Sequence, residues 1–354
     1  MPGSGERRPV VHMSVVGTIV PGKNDAFIYG CIESFLATAG EAPCGVRITA
    51  IDNSPGLGLG AQLHERFPSI AVRSNTVRRG FAANHNQVMA NSDAEYFLVA
   101  NDDLTFLPGS LARAVRYLED PFNSRVGVVS FQLLNADRSI QPSTFSFPTV
   151  FRGLLALSHL RERIPFGAWT TRLAAFASRG RGRSRFWDHD RTLPVDTTFG
   201  AALLVRAAAV RAVGLMDEVA LLGVEETEWH RRFWNEGWSV VFLHDAPVIH
   251  YDGQTNRAVS SLEVEYLKGL LNFFQKHRPE YVARVFSGLA LPIIGMRLLL
   301  AGARRDVATR GLLRNALRVV WAGALGRGPD WWGGIGRQEP ATGAPAGGVH
   351  SGPT

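Results

Sequence analysis

Unbroken apolar runs and helically spaced apolar positions alternate along the first 130 residues. Val11 to Val20, rich in Val and Ile, predicts a buried strand that runs into the loop Pro21-Gly22-Lys23-Asn24-Asp25. Phe27, Cys31, Ile32, Phe35 and Leu36 recur at helical spacing. Val46 to Ile51 predicts a second strand, ending in Asp52-Asn53-Ser54-Pro55-Gly56. Leu59, Leu63 and Phe67 mark a helix, Ile70 to Arg73 a short strand, and Phe81 to Ala90 another helix. Tyr96 to Ala100 is a strand that stops at Asn101-Asp102-Asp103. This βαβαβ rhythm predicts an α/β fold with a doubly wound, mostly parallel sheet flanked by helices. Ligands of such sheets bind outside the carboxyl ends of the strands. Three polar clusters, Pro21 to Asp25, Asp52-Asn53 and Asn101 to Asp103, fall at those ends.

The pattern continues with a helix (Leu111, Val115, Leu118) and a strand from Val126 to Phe131. Residues 150–192 read as a basic insertion without clear periodicity. Asp196 to Arg206 is a loop feeding a buried strand, Ala207 to Val213 a helix, and Gly237 to Leu243 alternates like a strand before Val248-Ile249-His250. Leu262 to His277 is amphipathic. Val285 to Leu300 is apolar but interrupted by Gly288, Pro292 and Gly295, and it holds Arg297. That run is short for a spanning helix. It suits an interfacial helix with arginine edges or a helix packed on the domain. The Gly/Pro/Ala-rich stretch from Gly333 to Thr354 predicts disorder.

Charge adds a partner class. The 354 residues carry a formal net charge of +7. Arginines crowd Arg161 to Arg191 and again Arg284 to Arg318, a pattern that attracts anionic lipid or a phosphorylated substrate. No nucleic-acid-binding motif accompanies them, so nucleic acid is not an expected partner. Two cysteines, Cys31 and Cys44, give neither a disulfide framework nor a metal cluster. Met1 to Pro9 lacks the apolar core of a signal peptide, and the expected location is the cytoplasm. The dinucleotide fingerprint Gly-x-Gly-x-x-Gly is missing after the first strand, and no phosphate-binding Walker loop is present.

The densest chemistry is Glu225-Glu226-Thr227-Glu228-Trp229, three carboxylates within four positions behind the apolar Leu221, Leu222 and Val224. Such a cluster is either a solvated helix start, favoured by the helix dipole, or a group of carboxylates with raised pKa able to take a proton.

The motifs in their order resemble the inverting family-2 glycosyltransferases of the GT-A fold, in particular bacterial rhamnosyltransferase-like members. The resemblance runs from about Val15 to His277. Val20-Pro21-Gly22-Lys23-Asn24 is similar to the family's first-strand loop, with Lys23 where a Tyr is usual. Ile51-Asp52-Asn53-Ser54 is similar to Val-Asp-Asn-Ser, and Gly80-Phe81-Ala82-Ala83-Asn84-His85-Asn86 to the family's Gly-Phe motif. Asn101-Asp102-Asp103 stands where the family has Asn-Pro-Asp, its variant of the Asp-x-Asp metal motif. Glu225-Glu226-Thr227-Glu228 stands for Glu-Asp-x-Asp, and Ile249-His250 for Ile-His.

The resemblance implies a transfer from a nucleotide-sugar donor, dTDP-rhamnose or similar, to a saccharide or lipid-linked acceptor in cell-surface polysaccharide synthesis. It implies Pro21, Asn24, Asp52, Asn53, Gly80, Asn84, Asn86, Asn101 and Asp102 around the donor. Asp103 and His250 would hold Mn²⁺ or Mg²⁺. Glu226 would be the general base, with Glu225 and Glu228 as rivals. Gly200, Ala201, Glu225, Glu228 and Trp229 would line the acceptor side, Trp229 stacking on a sugar or lying in the core. The expected organisation is a disordered 1–10, a nucleotide-sugar-binding half at 11–130, an acceptor-binding and catalytic half at 131–280, a helical, membrane-associating extension at 281–332 and a disordered tail at 333–354. A membrane surface, the inner face of the plasma membrane, is a further expected partner. Glu226 in place of Asp motivates an alternative: a catalytically weak nucleotide-sugar-binding scaffold of a membrane assembly complex.

Overall fold

The computed structural model describes residues 8–18, 27–158, 189–251 and 262–332. The expected tail at 333–354 and most of 1–10 lie outside them. Within 1–10, Val10 pairs with Gly45.

The first half follows the predicted rhythm: β1 (Val10–Gly17), α1 (Phe27–Ala39), β2 (Gly45–Asp52), α2 (Leu59–Arg66), β3 (Ala71–Ser74), α3 (Phe81–Met89) and β4 (Tyr96–Asn101). Then come β5 (Leu104–Phe106), α4 (Ser110–Glu119), β6 (Val126–Leu134), β7 (Thr144–Phe145) and α5 (Val150–Leu157). After the gap lie β8 (Leu193–Pro194), β9 (Thr197–Thr198), β10 (Ala202–Arg206), α6 (Ala207–Val213), α7 (Glu225–Asn235) and β11 (Ser239–His250). The chain closes with α8 (Leu262–His277), α9 (Glu280–Ala303), α10 (Val307–Ala324) and α11 (Pro329–Trp332).

The main sheet has the order β3-β2-β1-β4-β10-β6-β11-β5, with β8 also on β11. Strands β3, β2, β1 and β4 are parallel, as crossover helices require. Beyond β4 the sheet is mixed: β10 runs antiparallel to both β4 and β6, while β11 is parallel to β6. The central strands are buried on both faces, which explains their near-continuous apolar sequence. One core cluster joins α1, α2 and α4 to the sheet; another packs α6 and α7 against it, around Trp229, Phe233 and Phe242.

A third core lies among α8, α9 and α10, with Phe147, Leu157 and Val224 reaching into it. The helical layer therefore begins at Leu262, earlier than residue 281. Helix α9 spans 24 residues and carries Pro292 inside it, so the Gly and Pro positions interrupt the apolar pattern without ending the helix. Among the described residues it is long and apolar enough, by length and composition, to cross a membrane.

Candidate active site

Strand β5 has no counterpart in the sequence reading, and it builds the first part of the site. It runs antiparallel to the end of β11 with His250 opposite Leu104. That register sets His250 beside Asp103, 147 positions earlier in the chain. His250 Nε2 lies 3.4 Å from Asp103 Oδ1 and 3.5 Å from Asn101 Nδ2. Its Nδ1 is 2.8 Å from Gln141 Oε1, an acceptor, so Nδ1 carries the proton and Nε2 presents its lone pair. Asp103 Oδ1 is buried and has no hydrogen-bond partner. Leaving a carboxylate oxygen so is costly. An unpartnered carboxylate oxygen facing an imidazole nitrogen, the ring held by a second group, is what a divalent cation takes from a protein when its other ligands are waters and phosphates. No group of three or more His, Cys, Asp or Glu fit to hold a metal occurs among the described residues. Asp102 is also buried, and its Oδ2 accepts the Thr18 N–H at 3.3 Å.

The second part is the glutamate cluster, which forms the first turn of α7. The cluster is a helix start, as one of the two sequence alternatives held, but not a solvated one. Glu225 is 5 % exposed and Glu228 1 % exposed; only Glu226 of the three keeps access to solvent. Burial raises the Glu226 carboxyl from its ordinary 4.5 to about 7. Burial, and then the charge of Glu226, push Glu225 well above the carboxylate range. Glu228 differs. Burial alone would raise it, but His277 at 3.0 Å and Arg232 at 3.0 Å bring it below its ordinary value.

The segment Phe199–Ala201 joins the two parts. The Phe199 ring lies 5.9 Å from the His250 ring, and the Ala201 carbonyl accepts the Asn101 N–H at 2.9 Å. A Cβ on Gly200 would stand 3.5 Å from Glu226 Cγ and 3.4 Å from the Phe81 ring. Gly200 thus leaves open space beside Glu226.

Several sequence-predicted residues take other roles. Trp229 is fully buried against Phe233, its Nε1 donating to the Gly214 carbonyl, so it has no face for a sugar. Its truncation, Trp229→Ala, is expected to cost about 3–5 kcal/mol in denaturant unfolding, as for other large core residues, rather than to change sugar preference. Glu228 is closed off by Arg232 and His277 and is not an acceptor-side group. Asn53, Asn84 and Asn86 are buried and spent on protein. Asn53 brackets Arg79 through both its N–H and its carbonyl, and Asn75 donates to both Asn53 and Asn84. Asn86 fastens Met216 and Glu218. Gly80 permits close approach: a Cβ there would lie 2.9 Å from Leu221 Cα and O. Asp52 Oδ1 accepts the Ser54 N–H at 2.8 Å and Oδ2 the Gly60 N–H at 2.9 Å, an Asx turn with a second backbone bond. Each oxygen retains a lone pair. Pro21 and Asn24 lie outside the described residues. Sequence reasoning missed Gln141, which orients His250, and the α8 residues that hold the glutamate loop; neither carries a motif.

The Glycosyl transferase family 2 model matches residues 18–179, which include the Asp52, Asn84 and Asp103 segments and end before the glutamate cluster. The chain carries a family-2 glycosyltransferase domain. Two Mycobacterium tuberculosis relatives, from strains CDC 1551 / Oshkosh and ATCC 25618 / H37Rv, bear the name N-acetylglucosaminyl-diphospho-decaprenol L-rhamnosyltransferase. Each is 27 % identical over 238 residues, covering 62 % of this chain and 71 % of the relative. This glycosyltransferase is rhamnosyltransferase-like in sequence. A structure of GalNAc-T7 with UDP, GalNAc and Mn²⁺ superposes with a TM-score of 0.53 at 14 % identity. It covers 81 % of this chain, which spans about half, 52 %, of that one. The likeness shows the GT-A fold.

Proposed function

We propose that this chain is an inverting, metal-dependent glycosyltransferase that moves a sugar, rhamnose from dTDP-rhamnose as first choice, onto a saccharide carried by a polyprenyl diphosphate, in cell-surface polysaccharide synthesis. The observation that carries this is the convergence, around Phe199–Ala201, of an Asp103–His250 pair whose Asp103 Oδ1 has no hydrogen-bond partner with a carboxyl poised near neutral pH. The names of the mycobacterial relatives support the sugar and the acceptor class.

Asp103 and His250 would hold Mn²⁺ or Mg²⁺, with Asn101 beside them. Such a cation, when bound, neutralises the departing diphosphate. Asp52 keeps lone pairs for the donor's base. Glu226 takes the proton from the acceptor hydroxyl as that oxygen attacks the anomeric carbon opposite the diphosphate, and a single displacement inverts the configuration. Burial holds Glu225 toward its protonated form, and the charge of Glu228 is met by Arg232 and His277, so neither opposes ionisation of Glu226 strongly. The test is a screen of UDP-, GDP- and dTDP-sugars with and without Mn²⁺, read by thermal shift and nucleotide release, followed by NMR of the product's anomeric configuration. Metal-dependent binding without turnover against any polyprenyl-linked acceptor would favour the scaffold alternative. Retention of configuration would sink the mechanism.

The location follows from the same reading. On α9, Tyr281, Val285, Leu289, Pro292, Met296 and Leu299 are exposed along one side, and only 28 % of its most apolar 18 residues are buried. Exposed Arg304, Arg305, Arg314 and Arg318 follow. An apolar stripe beside exposed cations matches an anionic bilayer surface, each cation adding about 1 kcal/mol. The expected result is co-sedimentation with vesicles containing anionic lipid, weakened by salt and abolished by Leu289→Glu/Leu299→Glu. Equal binding by that double variant would refute the docking face.

A further inference from the structure

The loop that ends in the glutamate cluster is held along its length by one side of α8. The Leu221 N–H donates to Glu265 Oε2 at 2.7 Å, and Glu265 Oε1 accepts Lys268 Nζ at 2.7 Å. Both side chains of this pair are fully buried. The Leu221 carbonyl accepts the Phe81 N–H at 2.8 Å, so this residue is fixed from both sides. One turn along α8, Gly269 faces the Gly223 carbonyl; a Cβ there would stand 2.3 Å from it. Further along, Asn272 and Lys276 hold Asp217 at 2.6 and 2.5 Å, and His277 holds Glu228 at 3.0 Å. Residues three and four apart share a helix face, so this is one stripe.

Between Leu221 and Glu226 the chain passes through Gly223 (φ +108°) and Val224 (φ +74°). A β-branched residue at positive φ is strained and persists only where its surroundings impose it. A buried ion pair is a poor source of net stability, since apolar residues of similar size commonly replace it without loss. What Glu265 supplies that an apolar residue does not is a charged acceptor for a loop N–H, a strong and directional bond.

We propose that Glu265, its charge matched by Lys268, is a positioning residue for sugar transfer: it fixes Leu221 so that the strained Gly223–Val224 turn sets Glu226 in the cleft beside Gly200. This rests on Glu226 being the base. Two double variants of the full chain separate positioning from packing. Glu265→Gln/Lys268→Met removes the ion pair but keeps an acceptor for Leu221. Glu265→Leu/Lys268→Met removes both. The probe is Mn²⁺-dependent release of nucleotide by water from whichever UDP-, GDP- or dTDP-sugar the parent protein hydrolyses fastest.

The Leu/Met double should lose about 100-fold in kcat with donor KM within about threefold, because a small misplacement of a reacting group costs rate rather than binding. The Gln/Met double should restore kcat to within about fivefold, the residual reflecting a neutral in place of a charged acceptor. Unchanged kcat in the Leu/Met double, or equal losses in both with the fold intact by circular dichroism, overturns the proposal. Glu226→Gln is run beside them. If it is inactive while the Leu/Met double is normal, positioning alone falls; if it turns over normally, base and positioning fall together. Val224→Gly relieves the strain and serves if the Leu/Met double does not fold. A lower kcat at constant KM supports the proposal, and an unchanged kcat overturns it.

Discussion

Glu226→Gln is expected to abolish sugar transfer and, above pH 7, to make the protein more stable. The first effect follows from its role. A positioned base contributes about 10²–10⁴ in rate, and the amide cannot accept the acceptor's proton. Donor binding, read by thermal shift, should be intact, because Glu226 is not among the groups assigned to the nucleotide. The second effect follows from burial. The carboxyl is raised from 4.5 to about 7. The folded state therefore binds the proton more tightly than the unfolded chain. Stability is fully present below the unfolded value near 4.5 and is lost as pH rises through about 7. An amide carries no such loss. The same carboxyl must be ionised to act, so kcat in the parent protein should fall on the acid side with an apparent pKa near 7. Glu225 beside it, pushed well above the carboxylate range, interacts with it, so the profile reports two interacting groups. A Gln variant with parent-like turnover, or one less stable than the parent at pH 8, would count against the assignment.

Asp103→Asn should remove metal-dependent donor binding while leaving the metal-free protein as stable as before or more so. Asp103 Oδ1 is buried without a partner, and His250 Nε2 is 3.4 Å away, longer than a good hydrogen bond. Without a cation that oxygen costs stability, and the neutral amide costs less. Such a trade of stability for function is common at active sites. Chelation of the parent protein should mimic the variant, and added Mn²⁺ should restore only the parent. Turnover is expected to fall by about 10³ or more, given the charge that develops on the departing diphosphate. His250→Ala should share the loss. A milder loss in Gln141→Leu, with raised metal requirement, would reflect a histidine no longer held in one tautomer. If Asp103→Asn keeps its Mn²⁺-dependent thermal shift, the metal belongs to another residue, Asp102 being the nearest candidate.

The sequence by itself determined the sheet's parallel half and the edge where the chemistry lies. Val- and Ile-rich runs alternating with helical repeats leave few topologies, and polar clusters at strand ends mark the carboxyl edge. It also offered a helix start at Glu225 to Glu228 as one of two readings, because an acidic first turn is a local property. Only the tertiary structure decided what those residues do. Asn53, Asn84 and Asn86 look like pocket residues in one dimension, yet their partners Asn75, Arg79, Met216 and Glu218 use them as loop fasteners. Trp229 and Glu228 sit four and three places from Glu225, and packing with Phe233, Arg232 and His277 removes both from the cleft. Asp103 and His250 meet because β5, three residues long, pairs with the far end of β11. That pairing depends on hydrogen bonds between segments about 145 residues apart. Periodicity reports how a segment lies on its own axis; which distant segment it meets, and which polar atom is left without a partner, depends on the packed whole.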